Sequence, residues 1–262
     1  MDSKLSMYTT IRLNDGKDMP VLGFGVARMA EGTETEQSVL WALEAGYRLI
    51  DTAKIYGNEA SVGRAVRKSG IPREEIFITT KLWPNEFFRV RAALQKSLDK
   101  LGLAYIDLYL IHWPVPLVRG GIWKDFEKIY AAGLVRSIGV SNYSVKQLEP
   151  LVATAEILPA VNQVLFHPFF YKKELLDYCS SKNIAVEAYS PLAKGRKLND
   201  PVIAKIAGKY GKAPAQIMIR WSLQHGLIPI PKSSDKKRIF ENAKVFDFCI
   251  EPDDMKVLDN LN

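Results

Sequence analysis

The chain is poor in the residues that build several common kinds of site. Its 262 residues include two cysteines and three histidines. Two thiols, Cys179 and Cys249, cannot form a disulfide framework, and neither sits in a metal-ligand spacing. They read as small buried hydrophobes, and so thiol-poor a chain is expected in a reducing, cytoplasmic compartment. No apolar run approaches the roughly 20 residues that cross a bilayer. The opening residues Met1–Met7 hold no hydrophobic stretch of a secretion signal, so no membrane partner is expected. A Gly-rich dinucleotide turn is missing as well. The first strand-like run carries Gly23-Phe24-Gly25-Val26-Ala27-Arg28 rather than G-x-G-x-x-G, which argues against a doubly wound open sheet. No repeat, linker or low-complexity tract divides the chain, and one domain over residues 1–262 is the simplest account.

What is present is an ordinary globular composition, 47% hydrophobic and 25% charged, with a net charge of +7. Lysines and arginines are scattered among acids, so the excess reads as a solvated basic surface, and no nucleic-acid partner is expected. The densest cluster is Lys232, Lys236, Lys237 and Arg238, next to a strand end, where a small polyanion would bind.

Strand and helix patterns alternate without a break. Strands are expected over 21–26, 48–52, 76–81, 106–112, 135–141, 160–166, 185–190 and 227–231. Helices are expected near 35–45, 59–69, 88–101, 122–132, 145–155, 171–181, 201–210 and 214–225, with more helix after 235. The strands are mostly continuous apolar runs, as buried parallel strands require. Gly46, Gly102 and Gly133 stand just past helix ends, and Pro214 stands at a helix start. Eight strands with crossover helices make an α/β (β/α)8 TIM barrel. Ahead of them, Thr9–Pro20 has the pattern of a hairpin turning at Asn14-Asp15-Gly16, placed to close the barrel bottom.

Three polar residues end successive strands. Asp51, Lys81 and His112 lie 30 and 31 residues apart, one βα unit each, so all three reach one mouth of the barrel. Tyr56 follows Asp51 in the loop over that mouth. A phenol is a weak acid, with an ordinary pKa of about 10, and a neighbouring ammonium favours its ionised form. Lys81 supplies such a charge, and Asp51 can hold Lys81 in place. His112 can donate to a substrate oxygen beside Tyr56. This set delivers a proton to a carbonyl whose carbon is attacked by something else, and no metal cluster accompanies it. His167 and His225 have no partner logic and read as structural.

Asp51-x4-Tyr56-Gly57-Asn58-Glu59, Thr80-Lys81-Leu82-Trp83, Leu110-Ile111-His112-Trp113-Pro114, Gly139-Val140-Ser141-Asn142 and Ile230-Pro231-Lys232-Ser233 resemble the signature segments of the aldo-keto reductases. The resemblance runs from about Ile11 to the end of the chain. It implies a barrel that reduces aldehydes and ketones with NADPH, a small-molecule carbonyl partner and a monomer. Tyr56 then resembles the general acid, Lys81 and Asp51 its tuning pair, and His112 the residue that orients the carbonyl. Ser141, Asn142 and Gln163 match positions that bond the nicotinamide carboxamide, and Tyr189 the aromatic that stacks on the ring. Ser190 and Leu192 fall where the loop meets the pyrophosphate. Lys232, Ser233 and Arg238 resemble the clamp on the adenosine 2′-phosphate, and Asn242 an adenine contact. Trp83 and Trp113 match aromatic walls of the substrate pocket.

Two departures stand out. Many relatives have an aromatic where this chain has Ala27, next to Arg28, and relatives with a long C-terminal tail close the site with it, whereas this sequence stops at Asn262. The segment between Pro114 and Trp123 is short as well. An open, permissive pocket is expected, suited to small aldehydes such as methylglyoxal, keto-sugars and bulkier ketones. The alternatives are a nicotinamide-binding regulatory subunit with little turnover, and a barrel lyase or isomerase that binds no NADPH.

Overall fold

The computed structural model describes residues 5–115 and 119–262. Part of the Pro114–Trp123 segment and the first four residues, on which two of the expectations above bear, lie outside the described residues.

Two short antiparallel strands, β1 (Thr10–Arg12) and β2 (Asp18–Pro20), form the expected hairpin. Eight parallel strands follow: β3 (Gly23–Gly25), β4 (Leu49–Asp51), β5 (Phe77–Leu82), β6 (Ile106–Ile111), β7 (Val135–Ser141), β8 (Val161–Leu165), β9 (Ala185–Tyr189) and β10 (Ile228–Ile230). Each pairs with the next in chain order. Around them run α1 (Thr33–Glu44), α2 (Glu59–Lys68), α3 (Val90–Leu101), α4 (Arg119–Ala131), α5 (Val145–Thr154), α6 (Lys173–Ser181), α7 (Pro201–Tyr210), α8 (Pro214–Gln224), α9 (Lys236–Ala243) and α10 (Pro252–Asp259). Strand limits differ from the expected ones by a residue or two, because apolar runs continue past the last paired residue. The helix expected over 88–101 is a 3-10 turn, Pro84–Arg89, followed by α3.

The seam of the barrel joins β3 to β10, where the Gly25 N–H donates to the Pro231 carbonyl at 3.1 Å. Pro231 has no N–H to return, so this edge is only lightly bonded. Glycine is needed on β3 for the approach. A Cβ at Gly23 would come within 2.6 Å of Leu49 and 2.7 Å of Ile230.

Two apolar regions hold the fold. One is the layer between strands and helices. The other fills the lower barrel, where Leu49, Phe77, Leu108, Leu110, Val161, Ile228 and Ile230 from the strands meet Leu13 and Met19 from the hairpin. The hairpin is therefore a plug, pinned by Asn14 Nδ2 donating to the Pro159 carbonyl at 3.0 Å. Each large aliphatic side chain buried there contributes about 1.5–3 kcal/mol.

His225 has the structural role expected of it, and one expectation, that Cys249 is buried, is corrected. His225 has a partner: its Nε2 lies 2.8 Å from Asp259 Oδ1, which also accepts from Trp221 Nε1 at 2.7 Å, tying α8 to α10. Cys179 is buried, but Cys249 is exposed. Beside it Ile250 takes the inward position, and the cysteine turns outward.

Candidate active site

The strand register brings the predicted residues to one mouth. Asp51 is the last residue of β4, and His112 follows the last residue of β6, its N–H donating to the Leu82 carbonyl at 3.1 Å. Lys81 lies near the end of β5 with its side chain fully buried. An ammonium there requires full compensation, which it receives. Lys81 Nζ donates to Asp51 Oδ1 at 2.8 Å, Asp51 Oδ2 at 2.7 Å and the Thr52 carbonyl at 2.8 Å. Tyr56 Oη stands 3.5 Å from the same nitrogen.

Tyr56 is delivered by a tight loop. Residues Lys54–Tyr56 make one 3-10 turn, and Gly57 reverses the chain at φ 72°. Asn58 then fastens the loop. Its Nδ2 donates to the Val26 carbonyl at 2.9 Å and the Met29 carbonyl at 3.2 Å, while its Oδ1 accepts from Thr52 Oγ1 at 2.9 Å. Glu59 accepts from Thr80 Oγ1 at 2.7 Å, beside Lys81. One buried asparagine thus joins the β3, β4 and tyrosine loops, a positioning role that spacing alone did not disclose.

Electrostatics correct the expectation for Tyr56. Burial raises its pKa; Lys81 works in the opposite direction, as expected, but Asp51 adds to the rise, and the net shift is upward. Burial is the largest cause, and Asp51, which grips the ammonium with both oxygens, offsets part of its field at the phenol. Tyr56 therefore keeps its proton across the neutral range. Burial works most strongly against the Lys81 ammonium, but Asp51, with smaller contributions from Tyr56 and Glu187, more than offsets it, so the pKa is raised and the lysine stays charged. His112 is pushed down to about 3, by burial first and by Lys81 second. It is a neutral imidazole, and its Nδ1 is buried without a partner among the described residues.

Around these residues opens a cavity of about 710 Å³. Its tightly bonded wall comes from β7, β8 and β9. Ser141 Oγ donates to the Gln163 carbonyl at 2.8 Å, and Asn142 Nδ2 donates to Ser141 Oγ and the His112 carbonyl, both at 3.0 Å. Tyr189 Oη donates to Asn142 Oδ1 at 2.9 Å. Gln163 Nε2 donates to Asp51 Oδ2 at 2.8 Å and to Glu187 Oε2 at 2.6 Å. Asn142 holds this network from a left-handed backbone, φ 66°.

After β9 the chain is strained: Ser190, Ala193 and Lys194 all have φ between 49° and 56°. Such runs turn backbone N–H groups toward one side, and Ser190 and Leu192 line the cavity there. At the far end stand Lys232, Ser233, Arg238 and Asn242. Asp235 caps α9 by accepting from the Arg238 N–H at 2.9 Å, and Asn242 lies one turn beyond Arg238 on the same face. The expected cation cluster divides: Lys232 has no hydrogen bond or ion pair among the described residues, whereas Lys236 turns away to Glu44, 3.2 Å distant.

The other wall is loosely built. Ala27, Arg28 and Trp113 line it, and Trp113 is 44% exposed. Arg28 is exposed at φ 63° and has no partner among the described residues. Trp83 is not part of the lining. It stands beside His112, ring centroids 5.0 Å apart and planes at 89°, and steadies the imidazole edge-on.

An elongated cavity has amide donors and acceptors at one end and, at the other, Lys232, unpaired among the described residues, and Arg238, whose guanidinium lies 3.8 Å from Asp235 at a helix N-terminus; it fits a phosphorylated dinucleotide. Comparison with known proteins agrees. The family profile "Aldo/keto reductase family" matches residues 21–262. Glyoxal reductase from Bacillus subtilis (strain 168) is 48% identical over 259 residues, covering 98% of this chain and 94% of that protein. The 9,11-endoperoxide prostaglandin H2 reductase of Trypanosoma cruzi (strain CL Brener) is 46% identical over 260 residues, covering 97% and 92%. The crystal structure of a Bombyx mori aldo-keto reductase in complex with NADP superposes with a TM-score of 0.90 at 38% identity, covering 97% of this chain and 92% of that one. On sequence, fold and site alike, the chain belongs to the aldo/keto reductase family.

Proposed function

We propose that this chain reduces aldehydes and ketones with NADPH, and that Tyr56 is the proton donor. The observation that carries the reading is the Tyr56 hydroxyl, 3.5 Å from a lysine that Asp51 holds with both oxygens, at the mouth of a cavity that ends in Lys232 and Arg238.

Ser141, Asn142 and Gln163 would hold the carboxamide and Tyr189 the face of the nicotinamide. Ser190 and Leu192 would hold the pyrophosphate, Lys232, Ser233 and Arg238 the 2′-phosphate, and Asn242 the adenine. When bound, the reduced cofactor supplies a hydride to the carbonyl carbon. The substrate oxygen takes the C=O electron pair and receives the Tyr56 proton, so aldehyde becomes alcohol. Lys81 stabilises the phenolate that remains, and water reprotonates it. His112, being neutral, donates a hydrogen bond to the same oxygen without competing as an acid, which fixes the carbonyl in front of the phenol. Every residue named comes from one barrel, so one copy and one domain suffice.

The open wall at Ala27, Arg28 and Trp113 supports a broad substrate range. The relatives' names span a two-carbon dicarbonyl and a large lipid endoperoxide. The decisive test follows NADPH absorbance with an aldehyde for wild type and Tyr56→Phe. Turnover should fall by about 10²–10⁴ while NADPH still binds. Undiminished turnover in Tyr56→Phe removes the donor assignment, and a wild type that binds no NADPH removes the whole reading.

A further inference from the structure

Beneath the Lys81–Asp51 pair lies an acid that this reaction does not use. Glu187 is the middle residue of β9, fully buried, in register with Gln163 of β8 and Ile228 of β10. It stands two residues before Tyr189, on the same side of the strand. Gln163 Nε2 links it to the active site, with one hydrogen to Glu187 Oε2 at 2.6 Å and the other to Asp51 Oδ2 at 2.8 Å. Glu187 Oε1 is buried with no partner among the described residues.

Two carboxyl groups therefore share one amide donor, and only one of them has a cation. The three Lys81 N–H groups go to the two Asp51 oxygens and the Thr52 carbonyl. An ionised Glu187 would be a buried charge without compensation, so the group stays protonated at neutral pH. Burial first and the Asp51 charge second push it up to about 8, against Gln163 and Lys81. The ionisable groups facing it are Asp51 on β4, Lys81 on β5 and, beyond the lysine, Tyr56. On its own neighbours β8 and β10, the register partners Gln163 and Ile228 do not titrate.

We propose that Glu187 is a positioning residue whose ionisation sets how readily Tyr56 gives up its proton. Neutral, it leaves the Lys81 ammonium to stabilise the phenolate that forms when the proton leaves. Ionised, it adds a second negative charge to the same site and opposes that phenolate. The inference rests on Tyr56 being the donor. It has a distinct signature, because Tyr56 itself is raised above the ordinary tyrosine value of 10.0 and cannot cause a loss of activity near pH 8.

The experiment compares kcat against pH at saturating NADPH and aldehyde for wild type and Glu187→Gln, a same-shaped group that cannot ionise. Wild type should lose activity through a titration near 8, stepping down by roughly tenfold or more to a lower plateau above it. In Glu187→Gln that titration should vanish, with kcat at about pH 6 within about threefold of wild type. Glu187→Asp should restore an alkaline loss. Identical alkaline titrations in wild type and Glu187→Gln overturn the proposal. If Glu187→Gln does not fold, Glu187→Met, apolar and equally unable to ionise, must give the same flattened profile. The wild-type infrared spectrum is a further check: a protonated-carboxyl band should disappear as pH rises through 8, and its absence overturns the proposal whatever the variants do. Tyr56→Phe separates the two readings. If it stays active, both fail; if it is inactive while Glu187→Gln keeps the wild-type profile, only the role of Glu187 fails.

Discussion

The two walls of the barrel mouth are built in opposite ways. On one, Ser141, Asn142, Gln163 and Tyr189 are joined to each other, to His112 and to Asp51 by hydrogen bonds between 2.8 and 3.0 Å. On the other, Ala27, Arg28 and Trp113 stand in a half-exposed rim, and Arg28 has no partner among the described residues. On the reading proposed above, the bonded wall would face the part of the reaction that is the same for every carbonyl compound, and the open wall the part that differs between them. Rigidity is placed where the geometry must be reproduced, and room is left where it need not be.

The contrast makes the bonded wall costly to alter. Lys81→Met should have the largest effect, since it strands Asp51 as a buried unpaired charge. A loss of about 3–5 kcal/mol in a denaturant titration is expected, with turnover falling by at least about 100-fold. Asn142→Ala should come next. It removes three hydrogen bonds and leaves a left-handed backbone on a residue that disfavours it, for a loss of about 1–3 kcal/mol and about tenfold weaker NADPH binding by fluorescence titration. Replacing Lys232 and Arg238 together with alanine should weaken NADPH by about tenfold or more and leave NADH nearly unchanged; equal losses would remove the 2′-phosphate assignment.

A pH titration of stability sharpens the same comparison, because the bonded wall holds groups with displaced pKa values. His112 is neutral in the folded protein down to about 3, against an ordinary 6.5. Between those values the unfolded chain binds the extra proton, so stability should fall as pH drops from 6.5 toward 3. Glu187 acts with the opposite sign. Its carboxyl stays protonated up to about 8 rather than 4.5, so its contribution is complete below 4.5 and lost as pH rises through 8. Thermal melts of wild type should narrow on both sides, and Glu187→Gln should lose the alkaline slope alone. The smallest effects belong to the open wall. Arg28→Ala and Trp113→Ala should change stability by less than about 0.5 kcal/mol, while shifting KM for bulky relative to small aldehydes by a few-fold.

Much of this is legible in the sequence alone. Continuous apolar runs mark the parallel strands because both faces are buried, and the 30- and 31-residue intervals place Asp51, Lys81 and His112 at one mouth because each βα unit returns the chain to the same end. What escaped the sequence is whatever depends on three dimensions at once. The ammonium beside Tyr56 was visible, but that Asp51 holds it from both oxygens, and that burial outweighs it, appears only when the distances are known. Glu187 left a faint mark, one acid in Ala185-Val186-Glu187-Ala188-Tyr189, two places from Tyr189 and so on its face. Trp83 follows Lys81 just as Trp113 follows His112, yet only Trp113 lines the cavity, because Trp83 packs beside the imidazole.

The open wall also bears on how such an enzyme diverges. Arg28 and Trp113 support little else in the fold, so substitutions there pass with almost no penalty in folding. Descendants of this chain can wander between small aldehydes and bulky ketones through single changes at the rim. The bonded wall would filter out nearly every variant that disturbs the proposed proton donor. Diversity of substrate and constancy of reaction would then arise from one uneven distribution of hydrogen bonds around a single mouth.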